Sequence, residues 1–344
     1  MKQKYLINSF YFQKQLFEKH LSDRFDFDFI PPYHDVPMSA ACYIPLNLWH
    51  TERLYMSGAA RNYDVVHFNR PEAIWAFRPL PKQVSVFEAH GFDVGMRAES
   101  YLKDIGSLPK KAFGFMLDRF MRAGVKRNIA RADIFYCSTP DLVEPLGEWC
   151  GREPVWLPNP IDTDFWTPEG DKAPLPGSPA CFLASRLHGD KRPDVAIDIF
   201  KNHVKPRFKD ATLHMIGIGE LAARYRRELT DPKTYFWHGY MAKPVLASML
   251  RGADLVFGDF SIGALSLLPL QVMALGRPIV TLDRYEVVRR DLDELPDLAL
   301  SLLSDRDFRE DRVRANRDHV VSVHGGSAVC ARHLAMLGPL LHID

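Results

Sequence analysis

Apolar positions fall into short runs separated by amphipathic stretches, and this alternation occurs in two successive series along the chain. Lys4-Tyr5-Leu6-Ile7-Asn8 reads as a first strand, and the amphipathic stretch from Phe10 to His20 reads as a helix. Phe25-Asp26-Phe27-Asp28-Phe29-Ile30 alternates with period two, which predicts a strand with one apolar face. Asp64–Phe68, Val84–Glu88 and Asp133–Ser138 read as further strands. After Val155-Trp156-Leu157 the pattern breaks. Pro158, Pro160, Pro168, Pro174, Pro176 and Pro179 crowd a tract of loop chemistry, which marks a domain boundary. The second series places strands at Cys181–Ser185, Thr212–Gly217, Thr234–Gly239, Asp254–Phe257 and Pro278–Leu282. Its helices are expected at Pro193–Val204, Val245–Arg251 and Leu267–Leu275, and Gly326 to Leu341 reads as a closing helix. Strands separated by helices imply parallel sheets, so each series reads as an α/β unit.

Composition adds limits rather than detail. The chain has 344 residues, room for two domains, and 47% apolar with 25% charged residues is an ordinary globular mixture. A net charge of +1 gives no global field toward nucleic acid or membrane. Cys42, Cys137, Cys150, Cys181 and Cys330 are scattered, without a C-x-x-C pair, and are expected to be reduced, buried thiols of a cytoplasmic protein. Lys2 and Lys4 are followed by no apolar signal core, and no apolar run reaches the roughly 18–20 residues of a membrane span.

Candidate chemistry concentrates in the third quarter. The strand ending at Ser185 leads into a loop with Arg186 and Lys191, and the segment Gly263-Ala264-Leu265-Ser266 precedes a helix carrying Gln271. Fixed cations at a strand's carboxyl end, facing a helix amino terminus, suit a diphosphate. A site without metal must neutralise a diphosphate's negative charge with cations and amide dipoles. The competing reading is two solvated loop cations. His90 and Asp93 lie just past the strand Val84–Glu88, where open α/β sheets bind ligands, and Gly91 permits a tight turn that aims His90.

These residues carry a family likeness. Ser185-Arg186-Leu187 with Lys191, Ile216-Gly217-Ile218-Gly219, Trp237-His238-Gly239, Ala253–Phe257 and Leu270-Gln271-Val272-Met273-Ala274-Leu275-Gly276-Arg277-Pro278-Ile279-Val280 occur in the order seen in the carboxyl-terminal domain of glycosyltransferase family 4, which this stretch resembles. Ala89-His90-Gly91-Phe92-Asp93 looks like that family's His-Gly loop, and Pro158-Asn159-Pro160-Ile161-Asp162 like its interdomain segment. The resemblance covers about Val84 to Val280 and is weak before it, where Ser9-Phe10-Tyr11 replaces the usual Gly-Gly loop. It implies the GT-B fold, two Rossmann-like domains facing a cleft: residues 1–157 on the acceptor side, 158–325 on the donor side, and 326–344 a helix returning to the first domain. It implies sugar transfer from a UDP- or GDP-sugar, with retention and with no permanently bound cofactor or metal. It assigns His90 to the donor sugar, with Asp93 in the same catalytic loop, and His238 and Gly239 to the nucleobase. Where the family has Glu, seven residues and Glu, this chain has Gly263 and Gln271. Gln271 still offers an amide to a ribose, whereas Gly263 offers no side chain; Asp259 is a candidate substitute.

Alternatives stay open at this point. The missing acids motivate a non-catalytic nucleotide-sugar or glycan-binding protein on the same scaffold. The basic and aromatic segment 109–131 reads as a surface helix packed on a core, as a peripheral contact with anionic membrane, or as a polyanion site, which would fit a glycosyltransferase acting on nucleic acid. Trp49, His50 and Arg53, with Tyr33-His34-Asp35, are candidates for contact with an acceptor of unknown nature. Gly217 and Gly219 read as close packing rather than a dinucleotide fingerprint, and Asp26 and Asp28 as a polar strand face rather than a metal pair.

Overall fold

A computed structural model describes residues 2–8, 11–29, 58–68, 80–90 and 123–343. Asp93, Trp49, His50, Arg53, the Tyr33–Asp35 loop, Cys42 and residues 109–122 of the basic segment lie outside the described residues. The chain divides into two compact units, Met1–Pro160 with Gly326–Asp344, and Ile161–Gly325. Each is an α/β unit built on one parallel sheet, as the two series of apolar runs imply.

In the first unit the strands are β1 (Gln3–Asn8), β2 (Phe25–Phe29), β3 (Val65–Phe68), β4 (Val84–Ala89), β5 (Ile134–Cys137) and β6 (Val155–Trp156). They pair in the order β2-β1-β3-β4-β5-β6. β3, β4 and β5 are buried along their whole length, the expected state of strands covered on both faces. The helix Tyr11–Leu21 buries Leu16, Phe17 and Leu21, and the helix Gly326–Leu341 packs beside it, adding Val329, Cys330 and Leu337 to the same core. The described end of the basic segment, residues 123–131, is helical. It buries Val125 and Ile129, and sets Lys126 over the ring of Trp149.

The second unit holds β7 (Ala180–Leu183), β8 (Thr212–Ile216), β9 (Tyr235–His238), β10 (Leu255–Phe257) and β11 (Ile279–Val280), in the order β11-β10-β7-β8-β9. Strand order therefore reverses between β7 and β10, and their carboxyl ends flank the switch point of this sheet. Its core includes the fully buried rings of Phe182, Phe200, Phe257 and Phe260, each burial worth about 1.5–3 kcal/mol.

An aspartate immediately before a strand recurs as a local device. Asp64, Asp133 and Asp254 precede β3, β5 and β10, and each accepts at 2.8 Å the amide N–H at or beside the start of the neighbouring strand, from Lys4, Ser85 and Ala180. Sheet ends that would leave buried donors unpaired are closed this way. The chain passes between units after Pro160 and after Gly325, and the two crossings adjoin: Ile161 bridges to Gly325 and donates its N–H to the carbonyl of His324 at 2.7 Å.

Among the described cysteines, Cys137, Cys181 and Cys330 are buried free thiols as expected, whereas Cys150 is only partly buried. Gly219 supports the packing reading of the glycine pair. It sits at φ +129°, and a Cβ there would meet the Leu187 carbonyl at 2.4 Å.

Candidate functional site

In the second unit, β7 runs through Ser185 into a loop where Arg186 is exposed and Lys191 half-buried. The loop is pinned by Leu187, whose N–H donates to the Ile218 carbonyl at 2.8 Å, and by Gly189, whose N–H donates to Glu220 at 3.0 Å. Arg192, at φ +51°, then turns the chain into the helix Pro193–Ile199. On the neighbouring strand, β10 leads to Asp259, whose own carbonyl is held by the Leu282 amide and the Thr281 hydroxyl. Leu183 and Phe257 are partners in register, so Ser185 and Asp259 each stand two residues beyond a paired position at the switch point.

Lys191 is paired rather than solvated. Its Nζ donates to Asp259 Oδ2 at 3.0 Å, and the Ser266 hydroxyl donates to the same oxygen. The pair is largely shielded, with side-chain exposures of 24% and 10%, so the carboxylate offsets most of the lysine's charge. The Ser266 hydroxyl is committed to Asp259 instead of capping the helix Leu267–Ala274 that it precedes. The Arg186 carbonyl accepts the His188 amide at 2.9 Å, but its guanidinium makes no hydrogen bond or ion pair with a described residue, which leaves it the unpaired cation of the loop.

Other polar groups here have no protein partner among the described residues. Ser185 Oγ and Asp259 Oδ1 are buried without one. The backbone amides of Gly263, Ala264, Leu265 and Ser266 find no acceptor among those residues, and the half-buried Gln271 side chain makes no hydrogen bond to them. Buried polar atoms are seldom left so. Gly263 stands at φ +81°, and a Cβ there would meet the Arg284 side chain at 3.2 Å. A side chain at 263 is thus disfavoured by backbone and neighbour alike, and the nearby acid is Asp259, four residues upstream.

His238 ends β9 and faces the interior. It meets His214 at 3.1 Å and stacks on Phe182, and burial pushes its pKa down. Its side-chain contacts among the described residues are with His214 and Phe182, not with Arg186, Lys191 or Ser266. Gly239 is exposed with open space around it, so a planar ring could approach its backbone. A cavity of about 520 Å³ in this unit, lined by Asp254, Arg277, Pro278 and Arg309, lies at the strands' amino ends, opposite the switch point.

In the first unit, His90 directly follows β4 and is 3.1 Å from Glu88, whose carboxylate is buried to 1% exposure. The other carboxylate oxygen meets His67 at 3.1 Å, and Gln13 donates to both oxygens. Burial would raise the Glu88 pKa, but His90 and His67 outweigh it and hold this carboxyl well below the usual range. The chain of contacts continues from His67 to Tyr5 (2.9 Å), from Tyr5 to His333 (2.7 Å) and from His333 to Tyr136 (3.1 Å). His333, on the closing helix, is pushed down to about 3 by burial and by His67, against the pull of Glu88. Glu88 was not singled out from the sequence, although its charge within an otherwise apolar strand was the available signal; its partners come from distant segments.

Residues 178–301 match the family model of Glycosyl transferases group 1. No curated protein matches the chain by sequence. Among solved structures, a sucrose-phosphate synthase from Thermosynechococcus elongatus is similar over 99% of this chain and 100% of its own, with TM-score 0.72 and 12% identity. The catalytic domain of starch synthase IV from Arabidopsis thaliana, bound to ADP and acarbose, is similar over 99% and 100%, with TM-score 0.65 and 9% identity. The fold is GT-B. TarM from S. aureus, in complex with UDP among other ligands, matches 86% of this chain and 58% of its own, with TM-score 0.58 and 14% identity. In this GT-B chain, the group 1 match spans both strands of the switch point and the loop with Arg186 and Lys191.

Proposed function

We propose that this GT-B chain transfers a hexosyl or pentosyl group from a nucleotide diphosphate sugar to an acceptor, with retention, as the family 4 resemblance implies. The observation that carries the reading is the set of unpartnered donors at the switch point: Arg186, the amides of Gly263–Ser266 and the Gln271 side chain. A diphosphate accepts from the guanidinium and amides, and a ribose hydroxyl from Gln271. As the glycosyl–phosphate bond breaks, the growing charge on the diphosphate falls to Arg186 first, because Lys191 is already shared with Asp259. Asp259 Oδ1, buried and unpartnered, is free to accept a sugar hydroxyl. His90, steadied by Glu88, is assigned to the reacting sugar. UDP and ADP in two of the similar structures support a nucleoside diphosphate as the ligand class.

The replacement of the family's first acid by Gly263 favours a second reading, a protein that binds the nucleotide sugar without transferring it. One experiment addresses both. Melting temperatures are measured with UDP, GDP, ADP and their sugars, and donor turnover is followed with and without candidate acceptors. The preferred diphosphate raises the melting temperature of the wild type, and Arg186→Ala, exposed and unpartnered, loses that shift without losing fold. An unchanged shift in Arg186→Ala removes the proposed site. A shift with no turnover against any acceptor, hydrolysis included, leaves the binding-only reading standing.

A further inference from the structure

A second constellation lies beyond the edge strand β11. Asp283, fully buried, accepts the amides of Tyr285, Glu286, Val287 and Val288 at 2.7–3.1 Å and so fixes a tight loop that delivers Glu286 inward. Glu286 Oε2 is 2.7 Å from His324 Nε2 and 3.1 Å from His319 Nε2. The carboxylate and His324 side chains are 2% exposed and His319 22%, which leaves an approach from one side. Glu286 Oε1 is buried without a hydrogen-bond partner.

The helical geometry is what unites the two imidazoles. On an α-helix, positions five apart point about 140° away from each other. Here the helix Arg306–His319 continues into a π-helical turn, Val320–His324, whose wider winding brings residues five apart back toward one face. One ligand atom from each of Glu286, His319 and His324 can be chosen so that all three lie within 4.8 Å of one another. Tetrahedral zinc, with bonds of about 2.0–2.1 Å, sets its ligands roughly 3.3 Å apart, so movements of about an ångström or less complete the set.

We propose that Glu286, His319 and His324 form a binding site for one divalent transition-metal ion of the zinc class. Two imidazoles and one carboxylate suit zinc or cobalt, with a water as fourth ligand on the open side, and disfavour magnesium and calcium, which take oxygen. Binding displaces the protons that the imidazole nitrogens share with Glu286 and leaves a carboxylate oxygen on the metal. The same loop reaches Gly263, whose carbonyl accepts the Arg284 amide at 2.8 Å, so a bound ion braces the loop from its far end.

The test uses the full chain, stripped with chelator and exchanged into metal-free buffer. Cobalt(II) titration is expected to give the visible absorption of a tetrahedral site, saturating at one ion per chain and displaced by zinc. Zinc, but not magnesium, raises the melting temperature. His319→Ala, at the accessible edge, should weaken cobalt binding at least ten-fold while keeping the fold, and Glu286→Gln should do the same where it folds. Absence of the cobalt signal in the wild type overturns the proposal, as does an unchanged titration in His319→Ala. Stability that varies with pH in these variants, with no metal bound by the wild type, would mean the cluster holds a proton instead and also overturns it.

Discussion

Lys191 meets a carboxylate before it meets any ligand, and that pairing sets what each switch-point residue can do. The ammonium, the Asp259 carboxylate and the Ser266 hydroxyl form one small network between the loop after β7 and the start of a helix. Removing the acid leaves a half-buried cation and a hydroxyl without their shared acceptor. Asp259→Ala is therefore expected to lower stability by about 1–3 kcal/mol, the range for a charged hydrogen-bonded group. Chemical denaturation against wild type checks this, and a change below a few tenths of a kcal/mol would show that the network holds nothing together. Arg186 and Lys191 were legible in the sequence because cations after an apolar strand stand out. The Asp259 contact was not, since it joins residues far apart in sequence and depends on β10 lying beside β7.

At the scale of elements, the strands and the closing helix could be read from period alone. β1 to β5 and β7 to β10 fall where the apolar runs put them, and the helix Gly326–Leu341 has the limits its pattern gave. The helices Leu295–Ser304 and Arg306–His319 escaped notice, the second because its sequence is charged nearly all round, although Phe308 packs on the core and Arg317 donates to the Ala274 carbonyl. There Asp305 accepts the Phe308 amide at 3.0 Å and supplies the cap. The loop ahead of the helix Leu267–Ala274 depends on a residue without a side chain. Gly263→Ala forces a Cβ into the left-handed region and against Arg284, and should cost about 1–3 kcal/mol. Gly263→Glu, which places an acid where the resembled family has one, should be destabilised at least as much and should not gain activity. Recovered or improved turnover in that variant would show that the missing acid, rather than the backbone, limits this chain.

Across the whole molecule, acid is expected to act first on the unit built around Glu88 and His333. His333 stays neutral in the fold, pushed down to about 3, but titrates near pH 6.5 once unfolded. Its folded pKa is the lower one, so the stability it contributes is complete above about pH 6.5 and drains away as pH falls toward 3. Glu88 acts in the same direction lower down, below its unfolded value of about 4.3. The His333 share amounts to about 2 kcal/mol between pH 7 and 5. Melting temperatures over that range should fall in the wild type and fall less in His333→Phe; equal slopes would remove His333 from the account. The adjoining crossings at Ile161 and Gly325 carry a different consequence. The later unit enters and leaves the chain at a single spot, as a cassette spliced into a host, and the enclosed segment has a core of its own. A polypeptide of residues 161–325 should fold unaided and keep the nucleotide response proposed for the full chain, so that nucleotide preference ought to travel with the cassette when it is transplanted into another host of the same architecture.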